Sequence, residues 1–81
     1  MAEPVDHLAG KTGYTQALIA ALTDDELGEQ LAYFQAGEAR HRGTPDEEGV
    51  TRYKSHAYAA YRYSNWVGMV EGEQRHRASP N

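Results

Sequence analysis

Cysteine is absent from the 81 residues, which rules out a disulfide framework and any thiolate metal site and points to a reducing compartment. Proline occurs three times, at Pro4, Pro45 and Pro80, so nothing between the last two forbids a continuous helix. No long apolar run exists and the mean hydropathy is −0.80, which excludes a membrane-spanning helix. Positive charge is scarce, with 8 Lys+Arg against 12 Asp+Glu and a net charge of −4. A generic nucleic-acid binder leans the other way. The opening MAEPVDHLAG has no basic n-region and no apolar h-region, so no secretory signal is expected and the expected setting is the cytoplasm. The length allows one domain and is too short for a TIM barrel, a kinase or a dinucleotide fold with its substrate domain.

What is present reads as globular, with 40% hydrophobic and 25% charged residues. Arg is preferred to Lys, and Ala and Gly are frequent, the coding bias of a high-GC genome. Residues 1–13 carry Pro4, Gly10 and Gly13 with little apolar periodicity and are expected to form a flexible N-terminal arm. Residues 14–78 are expected to form a single helical domain, followed by a tail at 79–81.

Three helices are predicted. Thr15 can cap a short one over about 15–22, with Leu18, Ile19 and Leu22 on one side. Thr23-Asp24-Asp25-Glu26 is a capping box, and its three acids suit the positive end of a helix dipole. Leu27, Leu31 and Phe34 follow at helical spacing, Arg40, His41 and Arg42 suit a last turn, and Gly43 is a stop. The predicted helix is 24–42. Thr44-Pro45-Asp46-Glu47 repeats the start signal, and Val50, Tyr53, Ala57, Ala60, Ser64 and Val67 recur at three and four residues. This predicts a helix over 45–77, roughly 45–50 Å at 1.5 Å per residue.

A two-residue link, Gly43-Thr44, makes the long helices an antiparallel hairpin. Its register sets Phe34 on Tyr53, Leu31 on Ala57 and Leu27 on Ala60, brings the acidic helix start near Arg62, and holds His41 several turns from His56. The overhang Trp66–Val70 falls to the short helix to cover. The expected fold class is therefore all-α. Its core is thin for the chain length, and a homodimer pairing two hairpins as a four-helix bundle would remedy that. GEARHRGTPD (37–46) and GEQRHRASPN (72–81) also echo each other. A repeat or two helix C-termini under the same dipole rules would each produce this, and on either reading the last helix ends by Ala78.

Chemistry finds little footing. The GKT at Gly10–Thr12 lacks the first glycine of a phosphate loop, with Val5 in its place and no strand before it. His7, His41, His56 and His76 offer no i, i+4 pair for a metal, and Ser55, Ser64 and Ser79 have no nucleophile-elbow context. The carboxylates sit at helix starts, where capping accounts for them. No enzyme, cofactor or metal is expected. The aromatic segment is the informative one: Tyr53, Tyr58, Tyr61, Tyr63 and Trp66, with Arg52, Lys54 and Arg62, in a stretch from Gly49 to Val70 that has no acid. On a helical wheel Tyr53 and Tyr61 share the Val50–Ala57–Ser64 side, while Tyr63, Trp66 and Val70 fall nearly opposite. One neighbouring helix covers only part of such a circumference.

The expectation is a small cytoplasmic module acting by protein–protein contact, as adaptor, regulator or inhibitor, of the kind a phage or high-GC bacterium uses as an accessory protein. Its expected partner-binding residues are Tyr58, Arg62, Tyr63, Trp66 and Met69, with self-association expected. The alternative is nucleic-acid binding through Arg52, Lys54, Arg62 and Tyr61, with stacking on the rings.

Overall fold

The computed structural model describes residues 3–79. Three α-helices occur among them: α1 Gln16–Ala20, α2 Asp24–Arg42 and α3 His56–Ala78, with a 3₁₀ turn Arg52–Lys54 ahead of α3. No strand occurs among the described residues. The two long helices pack against each other as a hairpin and α1 lies on α3, so the all-α class expected from sequence is the one found.

The first two helices begin where their caps put them. The Thr15 hydroxyl accepts from Leu18 N–H (3.2 Å). Thr23 accepts from Glu26 N–H (3.1 Å) while the Glu26 carboxylate accepts from Thr23 N–H (2.9 Å). That closes a complete capping box, and the bond from the Thr23 amide is the chief reason the Glu26 carboxyl is held below its usual pKa. Helix α2 ends at Gly43 as expected.

The third helix departs from expectation: it starts at His56, not Pro45. The Thr44 hydroxyl folds back on the preceding helix, donating to the Arg40 carbonyl (2.7 Å). Gly49 takes a left-handed conformation, φ +85°, which a helix cannot continue through. Ser55 becomes the cap instead, accepting from Tyr58 N–H (3.0 Å). Asp46 accepts from His56 N–H (2.6 Å), tying the long connection back to the helix it precedes.

This delayed start resets the register. Asp24 lies beside Arg77 (2.8 Å) rather than Arg62, and His41 meets His56. The helices pair along their whole length, so the expected overhang at Trp66–Val70 does not exist. On α2 the inward positions are Leu27, Gln30, Phe34, Gly37 and His41; on α3 they are His56, Ala60, Tyr63, Val67, Val70, Gln74 and Arg77. Both series step by three and four, the spacing of helices that pack nearly antiparallel.

Phe34 is fully buried. Tyr14 stands edge-on to it at 4.9 Å and 87°, and Trp66 and Tyr63 lie 5.5 and 6.3 Å away between ring centres. Tyr63 approaches so closely because Gly37 has no side chain: a Cβ there would stand 2.6 Å from Tyr63 Cζ and 2.8 Å from Cδ1. Ile19, Leu27 and Val70 fill the core toward the other end.

Residues 1–13 were expected as a flexible arm. Met1 and Ala2 lie outside the described residues; of the remainder, Asp6, His7 and Leu8 dock on the helices while Glu3, Pro4, Val5 and the stretch 9–12 stay exposed. Leu8 enters the core at 4% exposure. The Asp6 carboxylate accepts from Leu8 N–H, from the buried Gln30 amide and from the Tyr14 hydroxyl, at 3.0, 3.0 and 2.7 Å. The Gln30 carbonyl oxygen accepts from His7 N–H (2.7 Å). Burial, with this carboxylate second, pushes the Tyr14 phenol well above its usual range. At the far end Arg77 donates to Asp24, Glu73 and the Ala20 and Leu22 carbonyls. Of the tail predicted at 79–81, Ser79 is the α3 C-cap, and Pro80 and Asn81 lie outside the described residues.

Both halves of the sequence echo are helix C-termini, and each closes the same i, i+4 pair, Glu38–Arg42 (2.7 Å) and Glu73–Arg77 (2.8 Å).

Gly37→Ala is expected to destabilise the fold by about 1–3 kcal/mol, because the overpacking at Tyr63 outweighs the gain in helix propensity. Gly28→Ala and Gly68→Ala, where an added Cβ meets nothing within 4 Å, are expected to stabilise by up to ~1 kcal/mol. Thermal unfolding followed by circular dichroism measures all three.

Candidate functional site

The surface rings lie at one end of the molecule. The connection 43–55 ends in the 3₁₀ turn, whose Arg52 carbonyl accepts from the Ser55 hydroxyl (2.6 Å). This locks the turn onto the start of α3 and sets Tyr53 edge-on to Tyr58, 5.1 Å and 86°. One turn on, Tyr61 lies 6.1 Å from Tyr58. Tyr53 is 74% exposed, Tyr61 57% and nearby Val50 39%. Arg52, Ser55, Ala57, Tyr58 and Tyr61 line an open groove of about 260 Å³, smaller than the ~300–1,000 Å³ of a small-molecule pocket. Among the described residues Arg52, Lys54 and Arg62 join no ion pair.

Of the residues expected to bind a partner, Arg62 is exposed and Tyr58, Tyr63, Trp66 and Met69 are half-buried. Tyr63, Trp66 and Met69 are partly buried and pack against the core. Trp66 is edge-on to Tyr14 (4.5 Å) and Tyr63 (5.2 Å). The Arg62 guanidinium lies over the Trp66 ring, 5.1 Å from its centre, and so shields it. Only Tyr58 of that set stands among the surface tyrosines. From the alternative set, Arg52, Lys54 and Tyr61 are exposed together at the start of α3, and Arg62 is exposed beside Tyr61. Tyr53, prominent in the sequence but assigned to neither set, is the most exposed of the rings.

His41 and His56 are not several turns apart as expected; the register brings their Nδ1 atoms to 2.9 Å. Ring centres are 5.1 Å apart with planes at 30°. The centre-to-centre separation exceeds the nitrogen separation by about two ring radii, so the imidazoles meet edge to edge. One Nδ1–H donates and the other Nδ1 accepts; two doubly protonated rings would set two N–H groups against each other. Tyr63 backs His41 at 5.6 Å with a nearly parallel plane. Burial, then His56, then Arg40 push the His41 pKa down. No signal in the sequence marks this pair, because the register that makes it is a tertiary property. Among the described residues no three His, Cys, Asp or Glu side chains gather at metal-ligand spacing, and no helix is long and apolar enough to cross a membrane.

No protein-family model matches the chain, and neither a curated protein nor a solved structure is significantly similar to it.

The lowered His41 pKa sets a direction for pH dependence. A histidine that binds its proton less readily when folded contributes stability above its unfolded pKa of about 6.5, and that contribution is lost as pH falls through the lower folded value. The melting temperature is expected to fall between neutral and mildly acid pH, and His41→Gln is expected to flatten that fall while His76→Gln, at an exposed position, leaves it unchanged. Melting curves across that range for the three proteins measure it.

Proposed function

We propose that this chain is a non-enzymatic cytoplasmic module that works by protein–protein contact, as an adaptor, regulator or inhibitor, with the start of α3 as its contact surface. The observation that carries the reading is the placement of its exposed rings. Of the four large hydrophobic side chains exposed among the described residues, three (Val50, Tyr53 and Tyr61) lie on the connection and the first turns of α3. Tyrosine combines large apolar area with a polar tip and few torsions to freeze, which suits it to interfaces. The shallow groove beside Tyr58 can seat a side chain but does not enclose a substrate. The contact residues in this reading are Tyr53, Tyr58, Tyr61 and Arg52. Tyr63, Trp66 and Met69 support the surface from within.

One observation favours a second reading: Arg52, Lys54 and Arg62 are exposed and free of ion pairs beside Tyr61. This is a small version of a single-strand binding surface. Three cations give a salt dependence worth two or three phosphates, and the net charge of −4 opposes it.

The two readings separate by experiment. With a photo-crosslinking amino acid at position 61, the contact reading expects a discrete protein adduct in the producing cells, and none with the same probe at exposed Gln35. Tyr53→Ser combined with a probe at 58 is expected to lose the adduct while the melting temperature holds. Trp66→Ala is expected to cost about 2–4 kcal/mol of stability, since it removes a ring packed on Phe34. Fluorescence anisotropy with a labelled single-stranded oligonucleotide at low salt tests the second reading. Saturable binding that weakens with salt, together with absence of a protein adduct, would replace the first reading by the second.

A further inference from the structure

The connection 43–55 is tied to the helices at one junction. Every residue from Arg42 to Lys54 is exposed, so no side chain of this stretch anchors it in the core. The hydrogen bonds that leave it run to the end of α2 and the start of α3. The Gly43 and Thr44 amides donate to the Ala39 and His41 carbonyls (3.0 and 3.3 Å), and Asp46 accepts from the His56 amide (2.6 Å). At the same junction His41 and His56 share one N–H between Nδ1 atoms 2.9 Å apart. The surface rings depend on this junction, because Tyr53 belongs to the connection and meets Tyr58 in the first turn of α3.

The shared N–H persists with both imidazoles neutral or with one of them charged. A second proton fills both Nδ1 positions and sets two like charges against each other. The surroundings add to the strain. On α2, Arg40 and Arg42 flank His41, and Glu38 holds Arg42 (2.7 Å). On α3, the Tyr63 ring lies behind His41 at 5.6 Å, planes at 26°. On the connection, Arg52 and Lys54 precede His56, and Glu47 and Glu48 are exposed. Among the described residues, Asp46 is the one carboxylate hydrogen-bonded to either histidine, and its bond goes to the His56 main chain. An open cavity of about 450 Å³, lined in part by His41, Thr44 and Asp46, gives solvent protons access. Tyr63 blocks the retreat of His41, so His56 gives way. It is the first residue of α3, and helix ends open at low cost. Its departure undoes the Asp46 bond and the adjoining Ser55 cap.

We infer that this pair is a pH-operated latch: a second proton releases the connection 43–55 and the start of α3, so the surface around Tyr53 and Tyr58 is ordered at neutral pH and loosened in mild acid. What the latch controls rests on the contact reading above; its opening does not. The fall in melting temperature expected above is global, whereas this opening is confined to 43–58 and leaves the Phe34 core and the Arg77 end in place.

Two-dimensional NMR of the ¹⁵N-labelled protein, titrated from neutral to mildly acid pH, tests the latch. The amides of Asp46, Tyr53, Ser55 and His56 are expected to move toward unfolded positions with one midpoint, shared by the His41 ring nitrogens, while those of Leu27, Phe34 and Val70 hold. His41→Gln and His56→Gln each leave a neutral partner for the remaining ring and are expected to keep the connection in place; His76→Gln is expected to follow wild type. The wild-type spectra carry the test even where a variant fails to fold. Rings that take up both protons while the connection amides stay put overturn the latch, as does loosening that persists in both Gln variants. The crosslinking probe at position 61, used in an extract of the producing cells at each pH, reads the control. An adduct lost in acid by wild type and kept by His41→Gln supports it. An equally strong adduct at both pH values, with the connection loosened, overturns the control and leaves the contact reading standing. No adduct at either pH, with the connection loosened, removes the contact reading and leaves the latch.

Discussion

The burial of Phe34 is the constraint on which the rest of the structure depends. It is the chain's single phenylalanine, and it has no exposed surface. The rings around it come from separate parts of the chain: Tyr14 ahead of α1, Tyr33 on α2 itself, Tyr63 and Trp66 on α3. Removing such a ring from water is worth about 1.5–3 kcal/mol, and edge-on aromatic pairs add to it. The register of α3 sets both Tyr63 and Trp66 against Phe34 and gives Tyr63 the space over Gly37. The hairpin's alignment and the docking of the N-terminal segment thus follow from one side chain's surroundings.

That dependence explains what was legible in the sequence. Helix α2 could be placed to the residue because its signals are local: a capping box at one end, basic residues and glycine at the other. The start of α3 could not: Thr44-Pro45 reads as a chemically sound start, whereas Ser55, the cap the fold uses, carries no comparable local signal. The inward face of α2 was only half legible. Leu27 and Phe34 stand out by hydrophobic spacing, whereas Gln30 and Gly37, also inward, are residues that a hydrophobic reading passes over. Gln30 is tolerated in the core because both ends of its amide find partners in the N-terminal segment.

The candidate surface was legible in composition but not in direction. The aromatic and basic residues of 50–66 were evident, and so was an excess of rings over what one helix face can hide. With the helix starting at Pro45, the wheel assigned Tyr63 and Trp66 outward. With the start at His56 and the register reset, those residues face α2, and the side carrying Tyr61 faces solvent. The arrangement also separates duties along the molecule. The end near Asp24 is closed by Arg77 and its several acceptors. The opposite end has no such closure and leaves Val50 and Tyr53 in the open.

The clasp at Arg77 has a kinetic consequence. Its acceptors at Asp24, Leu22 and Ala20 lie 53, 55 and 57 positions away along the chain, whereas most bonds in a helical protein span four. Individual helices form within about a microsecond, but a closure that joins such distant stretches carries the entropy of a large loop. Zipping of the helices is therefore fast and their clasping slow, so the acquisition of the full network at Arg77 marks the late phase of folding.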